Sequence, residues 1–363
     1  MKIKHLYVHI PFCDNICYYC DFTRVKYNAQ LVDKYLDKLE AELVQYNLNK
    51  DISTIYIGGG TPSSLTSQQL YKLLNILKKY SQDTIEYTIE ANPDSLTLEK
   101  INILKKFKVN RVSLGVQTAN DSLLKAINRK HSYNDVINVV DSLNSAGISN
   151  ISIDLIYSLP KQTMKIWQET LETIVSLNIK HISLYSLTIE KNSYFNRHHY
   201  QKLDDETEAN MYFYAIDFLK KYSFEQYEIA NFSKKGYESK HNLGYWNYDN
   251  FIGIGLGASG KISNYRYDNT KNFVDYFNEK FVTEKIELSV KDQMFEMLMM
   301  SLRLKKGISK KLFYERFNKN IEDVFKDVIN IHVLKNNLIN TEYYLKCSDK
   351  GFPILNDILV DFM

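Results

Sequence analysis

The feature that most limits the fold of this 363-residue chain is a strand–helix alternation repeated six times in its first half. Short runs rich in β-branched and aromatic residues at 6–10, 54–57, 85–89, 111–114, 151–155 and 181–187 read as strands. The segments between them, 29–46, 67–80, 98–107, 133–146 and 164–177, carry apolar residues at helical spacing. Strands joined through helices rather than tight hairpins pair in parallel, and right-handed crossovers put the helices on the outside. The expectation is an α/β fold, an incomplete (β/α)6 barrel two units short of a closed eightfold one. An arc of six leaves a lateral opening that suits a large substrate.

The pattern changes near residue 200. Residues 203–222 read as a helix, and 227–260 form an aromatic, Gly-rich stretch. From 291 onward a small helical domain is expected, with an apolar helix at 294–304, short helices at 309–317 and 321–330, and a hairpin strand at 338–345. Three segments follow: 1–200 as the barrel, 201–290 as its extension, and 291–363 as a small, mostly helical, winged-helix-like domain.

Composition narrows the function classes. Lys and Arg number 46 against 43 Asp and Glu, a net charge of +3. So even a balance gives no electrostatic case for nucleic acid as a partner. No apolar run reaches about 18 residues, the length a membrane-spanning helix needs. Peripheral membrane contact stays open. Residues 1–10 read as a strand without the apolar stretch of a signal peptide, and a cytoplasmic location is expected.

Three of the four cysteines, Cys13, Cys17 and Cys20, lie within eight residues in a C-x3-C-x2-C spacing on the loop after the first strand. Three thiolates on one short loop can converge on a small cluster, one ligand short of a closed four-thiolate shell. An open metal position is the mark of a reactive site. A zinc site completed by a distant His or by Cys347, or three buried cysteines, are the other readings. Further candidates sit where strands end: the turn Gly58-Gly59-Gly60-Thr61-Pro62, then Glu90, Gln117 and Asp154. Singly, such residues cap helices or bond loops. As a set they ring one barrel mouth with carboxylates and an amide, which suits a ribose and an amino group.

The cysteine spacing, with an aromatic before the last Cys, resembles the radical S-adenosylmethionine (SAM) superfamily. The segments together resemble its coproporphyrinogen oxidase-like branch over nearly the whole chain. That resemblance implies a [4Fe–4S] cluster on Cys13, Cys17 and Cys20, with SAM chelated to the fourth iron. One electron, from a donor such as flavodoxin or ferredoxin, would cleave SAM to a 5′-deoxyadenosyl radical. It also implies that Tyr7, Gly59, Gly60 and Thr61 approach SAM. Glu90, Gln117, Arg129 and Asp154 would contact its amino, carboxylate and ribose groups. A guanidinium fork fits a carboxylate; without the resemblance Arg129 reads as a solvated residue at a helix end.

The branch holds two activities, the oxygen-independent coproporphyrinogen III oxidase and the HemW-type heme chaperone. The oxidase pattern adds a fourth cysteine two residues after the third, where this chain has Phe22. The oxidase also carries a long segment ahead of the cluster, whereas here the first cluster cysteine is residue 13. The chaperone motif H-N-x-x-Y-W fits His241-Asn242-Leu243-Gly244-Tyr245-Trp246. The resemblance therefore implies heme as a ligand at His241, Asn242, Tyr245 and Trp246, passed to an apo-hemoprotein, a respiratory one. The oxidase or another radical SAM enzyme is the alternative. His is a common heme ligand, and Tyr245 and Trp246 offer flat faces. An aromatic core patch around a buried, hydrogen-bonded His is the other reading of that motif. His9 reads as a supporting group behind the site and Cys347 as a free core thiol. Ser158 stands where both groups usually carry Gly, which puts a glycine-only conformation there in question.

Overall fold

The strands of the computed structural model, which describes residues 3–48 and 52–363, are two-sided. In β1 (His5–Ile10), Leu6, Val8 and Ile10 point one way and His5, Tyr7 and His9 the other. In β2 (Thr54–Gly59), Ile55 and Ile57 oppose Thr54 and Tyr56. The pattern continues through β3 (Glu86–Ala91), β4 (Arg111–Gln117), β5 (Asn150–Tyr157) and β6 (His181–Ser186). Their apolar sides join one core with the inner faces of helices Ala29–Gln45, Ser67–Leu77, Leu98–Lys106, Tyr133–Ser145 and Met164–Val175. The polar sides, among them Glu86, Glu90, Arg111, Ser113, Asp154 and His181, face the concave side and form a lumen. Parallel strands covered on both faces normally read as continuous apolar runs. Here the alternation itself marks the concave face as a place for ligands.

The six strands pair in parallel in chain order, as expected from the sequence. β7 (Asn231–Ser233) turns back antiparallel on β6. On the far side of β1 lies a seventh parallel strand, β8 (Phe251–Ile254), which the Gly-rich stretch conceals in the sequence. β9 (Ser259–Ile262), β10 (Tyr265–Asn269) and β11 (Val282–Glu287) extend that edge as an antiparallel meander. The result is a twelve-stranded mixed sheet. Its edge strands, β11 and the short Glu225–Gln226, do not pair with each other, so the barrel stays open.

A second apolar cluster gathers Tyr248 with Met294, Leu298, Phe313, Ile329, Leu345 and Phe362. It holds helices Val290–Ser301 and Lys310–Phe317 against a three-stranded antiparallel sheet, Ile308–Ser309, Tyr344–Cys347 and Leu338–Asn340. The helix expected at 321–330 is two helices, Ile321–Val324 and Lys326–Leu334, broken at Phe325. The segment expected as one strand at 338–345 is the two arms of a hairpin. Cys347 is buried and free. Residues 1 and 2, part of the expected first strand, lie outside the described residues. Among those described, no helix is long and apolar enough to cross a membrane.

Candidate functional site

The loop after β1 brings Cys13, Cys17 and Cys20 to the C-terminal ends of the parallel strands, the end where such barrels place their chemistry. Cys13 is buried and the other two are half-buried. All three line a cavity of about 340 Å³. Arg24 ties the loop together by donating to the carbonyls of Cys20 and Phe22. Burial pushes the Cys13 thiol up to about 11, and Cys20 also upward. A bound cation reverses that, since coordination deprotonates a thiol. Among the described residues no three His, Cys, Asp or Glu side chains converge on a single ion. A cubane cluster makes a different demand, one thiolate per iron at wider separation, and three thiols on one loop beside a cavity meet it.

The turn after β2 fits around this loop. A side chain at Gly60 would place its Cβ 2.9 Å from Cys13 Sγ and 2.9 Å from the Phe12 carbonyl. Thr61 Oγ1 lies 3.5 Å from the same sulfur. Gly59 adopts φ 117° over the ring of His9. His9 Nε2 donates to the Thr23 carbonyl (2.8 Å) and its Nδ1 accepts from the Tyr7 hydroxyl (3.0 Å). His9 thus supports the turn from behind.

The other strand ends complete the wall. Glu90 accepts from the Tyr56 hydroxyl (2.8 Å) and the Gly59 amide (3.1 Å), and burial pushes it up to about 7. Asp154 receives the Ser113 hydroxyl at 3.1 Å, and burial raises it too. Gln117 is buried at φ 69°, just past an irregularity in the β4–β5 pairing. A non-Gly residue there carries backbone strain, of the kind that collects at ligand sites. Arg129 is not solvated at a helix end. It lines the cavity, Nη1 donates to Asn92 Oδ1 (2.7 Å), and its buried Nε has no partner among the described residues. That unused donor, beside two carboxylates and an amide, fits an amino-acid group such as the one SAM carries.

So one cavity gathers Cys13, Cys17, Cys20, Gly59, Gly60, Thr61, Glu90, Gln117, Arg129 and Asp154. It adds Asn92, Ser113 and Tyr185, which the sequence reading passed over. Ser113 and Tyr185 were marked only by their place on the polar side of their strands. Tyr7 is not in this cavity. It lies one cavity further along, stacked on Tyr56 and bonded to His9.

The 241–246 motif lies outside the cluster cavity. Ser239 caps the short helix Lys240–Trp246, and the buried Glu86 accepts from the amides of Lys240 and His241 (2.9 Å each). His241 is 1% exposed and sits under the strand N-termini. A network occupies both of its ring nitrogens. His5 Nε2 donates to Asp249 (3.3 Å) and His5 Nδ1 bonds the Thr54 hydroxyl (2.7 Å). The same hydroxyl bonds His241 Nδ1 (2.7 Å), and His241 Nε2 bonds the Tyr245 hydroxyl (2.7 Å). Burial holds His241 well below its usual range, hence neutral. Both ring nitrogens of His241 are thus engaged, one by Thr54 and the other by Tyr245. Trp246 faces the C-terminal unit, with its carbonyl accepting from Ser301 Oγ (2.9 Å). Asn242 continues the cap, its amide donating to Ser239 Oγ (3.4 Å). Of the four expected heme residues, Tyr245 lines the two neighbouring cavities.

Comparison with known proteins fits this layout. Residues 7–174 match the Radical SAM superfamily and residues 288–354 the HemN C-terminal domain. The chain is 39% identical over 372 residues to a protein named heme chaperone HemW from Lactococcus lactis, covering 100% of this chain and 98% of the relative. Its identity to the Bacillus subtilis protein of the same name is 38%, over 99% of each. Among solved structures it resembles coproporphyrinogen III oxidase (HemN) from Escherichia coli, with TM-score 0.86 and 22% identity over 99% of this chain and 90% of that one. At that identity the likeness speaks for the fold alone.

Proposed function

The chain belongs to the heme chaperone HemW family of the radical SAM superfamily, and from that premise we propose that it binds heme and hands it to an apo-hemoprotein. The observation that carries the proposal is the end-to-end extent of the similarity, which spans the barrel, the meander and the C-terminal unit alike. A barrel-only match would leave the substrate class open. Phe22 supports the same reading, because a phenyl ring can neither ligate iron nor give up hydrogen as a fourth thiol could.

The family implies a [4Fe–4S] cluster and SAM. In this reading Cys13, Cys17 and Cys20 hold the cluster, which with SAM supplies one-electron chemistry when bound. The chain's own residues bind and shield. Arg129 takes the carboxylate of SAM, Glu90 its amino group, and Asp154 with Gln117 the remaining polar groups. Gly59, Gly60 and Thr61 allow close backbone approach. The recipient is an apo-hemoprotein, a respiratory one in our reading, and the electron donor is of the flavodoxin or ferredoxin class.

The test is anaerobic reconstitution with iron and sulfide, hemin titration followed by absorbance, and then mixing with an apo-hemoprotein. Saturable one-to-one binding followed by transfer is expected. Absence of specific hemin binding by the reconstituted protein would sink the proposal. Cys17→Ser is expected to lose the cluster absorbance, and a cluster that survives would mean a different ligand set.

A further inference from the structure

Beyond the cluster cavity lies a second cavity of about 480 Å³. The two share Asp21 and Phe22 as lining. The second is walled by the rings of Tyr7, Tyr245 and Phe251 and by the small residues Gly257 and Ala258. Tyr245 and Phe251 pack edge to face, with centroids 4.5 Å apart. The exposed Lys271 stands among the lining residues.

Phe22 is 65% exposed. What sets it apart from other exposed rings is its place, on the shared lining of two cavities and beside the rings of Tyr7, Tyr245 and Phe251. Its backbone is not loose. Arg24 Nη1 donates to the Phe22 carbonyl (2.9 Å), and the next carbonyl, Thr23, accepts from buried His9 (2.8 Å). Thr23 also packs on Gly257, where an added Cβ would lie 2.6 Å from Thr23 Oγ1. The ring is thus presented by a pinned segment.

The imidazole nitrogens and phenol hydroxyls facing this cavity are engaged. Both His9 nitrogens are used, Tyr7 donates to His9, and Tyr245 bonds His241. A metalloporphyrin here would find flat apolar faces and a cation for a propionate, but no unshared imidazole. Resting on the heme reading above, we propose that heme is gripped in this second cavity by its ring faces. Phe22 is the outer stacking platform and Tyr245 with Phe251 the inner wall. His241 does not bind the iron. A grip on the macrocycle leaves the iron's axial positions to the recipient, which favours release.

The test titrates hemin and iron-free protoporphyrin IX into reconstituted protein and into Phe22→Ala, Phe22→Leu, Phe22→Trp and His241→Ala. Both porphyrins are expected to bind the native chain with similar affinity. Phe22→Ala and Phe22→Leu should each weaken both by about two- to tenfold, as the loss of one aromatic contact implies, while Phe22→Trp retains binding. Cluster absorbance unchanged in the Phe22 variants shows the loop intact. Folded His241→Ala, in which Tyr245 loses its anchor, should bind hemin and the iron-free ring with the same ratio of affinities as the native chain. Unchanged affinity in Phe22→Ala, or hemin binding that needs His241 while the iron-free ring fails to bind, would overturn this placement and leave the heme reading standing. If the native chain bound neither porphyrin, both would fall.

Discussion

Replacing Ser158 by Gly is expected to stabilise the barrel. Ser158 follows β5 at φ 64°, is 0% exposed, and its hydroxyl finds no partner among the described residues. Holding an L-residue in the left-handed region costs about 1–2 kcal/mol. Burying an unpaired hydroxyl costs roughly 1–3 kcal/mol. Glycine removes both, but enlarges the unfolded ensemble at a cost of about 0.4–1 kcal/mol. The net expectation is a gain of about 2 kcal/mol. Urea unfolding followed by far-UV circular dichroism measures it, with tryptophan fluorescence as a second probe, since Trp167 is fully buried in the same barrel. Ser158→Ala divides the two contributions, because it deletes the hydroxyl and keeps the strained backbone. Gly should then exceed Ala by about 1 kcal/mol. A glycine variant no more stable than the native chain, with coincident transitions by both probes, would refute the reasoning.

Other perturbations have equally definite outcomes. Glu90 is held protonated up to about 7 by burial, so the folded chain carries more protons than the unfolded one between its ordinary carboxylate range and pH 7. Stability should therefore fall as pH rises through that window, and Glu90→Gln should flatten the slope by up to one proton in unfolding titrations. His241→Ala should destabilise by about 3 kcal/mol in urea, because Thr54 and Tyr245 lose a shared buried partner and a void is left. Gly60→Ala should lower the iron retained per chain after reconstitution while leaving the circular dichroism unchanged, since its Cβ would collide with Cys13 Sγ and the Phe12 carbonyl.

The six barrel strands were legible because strand and helix periods alternate cleanly along the first half. The seventh was not. Phe251–Ile254 is four residues long, holds a glycine, and is ordered by pairing with a strand some 240 residues earlier. Local pattern carries no trace of so distant a partner. At the site, Glu90, Gln117 and Asp154 were legible as polar residues ending strands, whereas Arg129 depended on the family resemblance. The surroundings of the 241–246 motif were not legible for a plain reason. Its residues announce an imidazole near aromatics, but Thr54, which bonds the imidazole, and Glu86, which caps its helix, lie 187 and 155 residues earlier in the chain. In the fold His241 is buried and hydrogen-bonded on both ring nitrogens.

The stopped end of the lumen bears on traffic. His241 and Gly244 are buried across the strand N-termini, so access lies at the opposite end and along the open side. Exposed residues line both cavities there: Asp21 and Phe22 are shared, Tyr185 belongs to the cluster cavity, and Ser259 and Lys271 to the Tyr7 cavity. In the heme reading a cargo held beside Phe22 would thus meet donor and recipient on the face that also opens to the cluster.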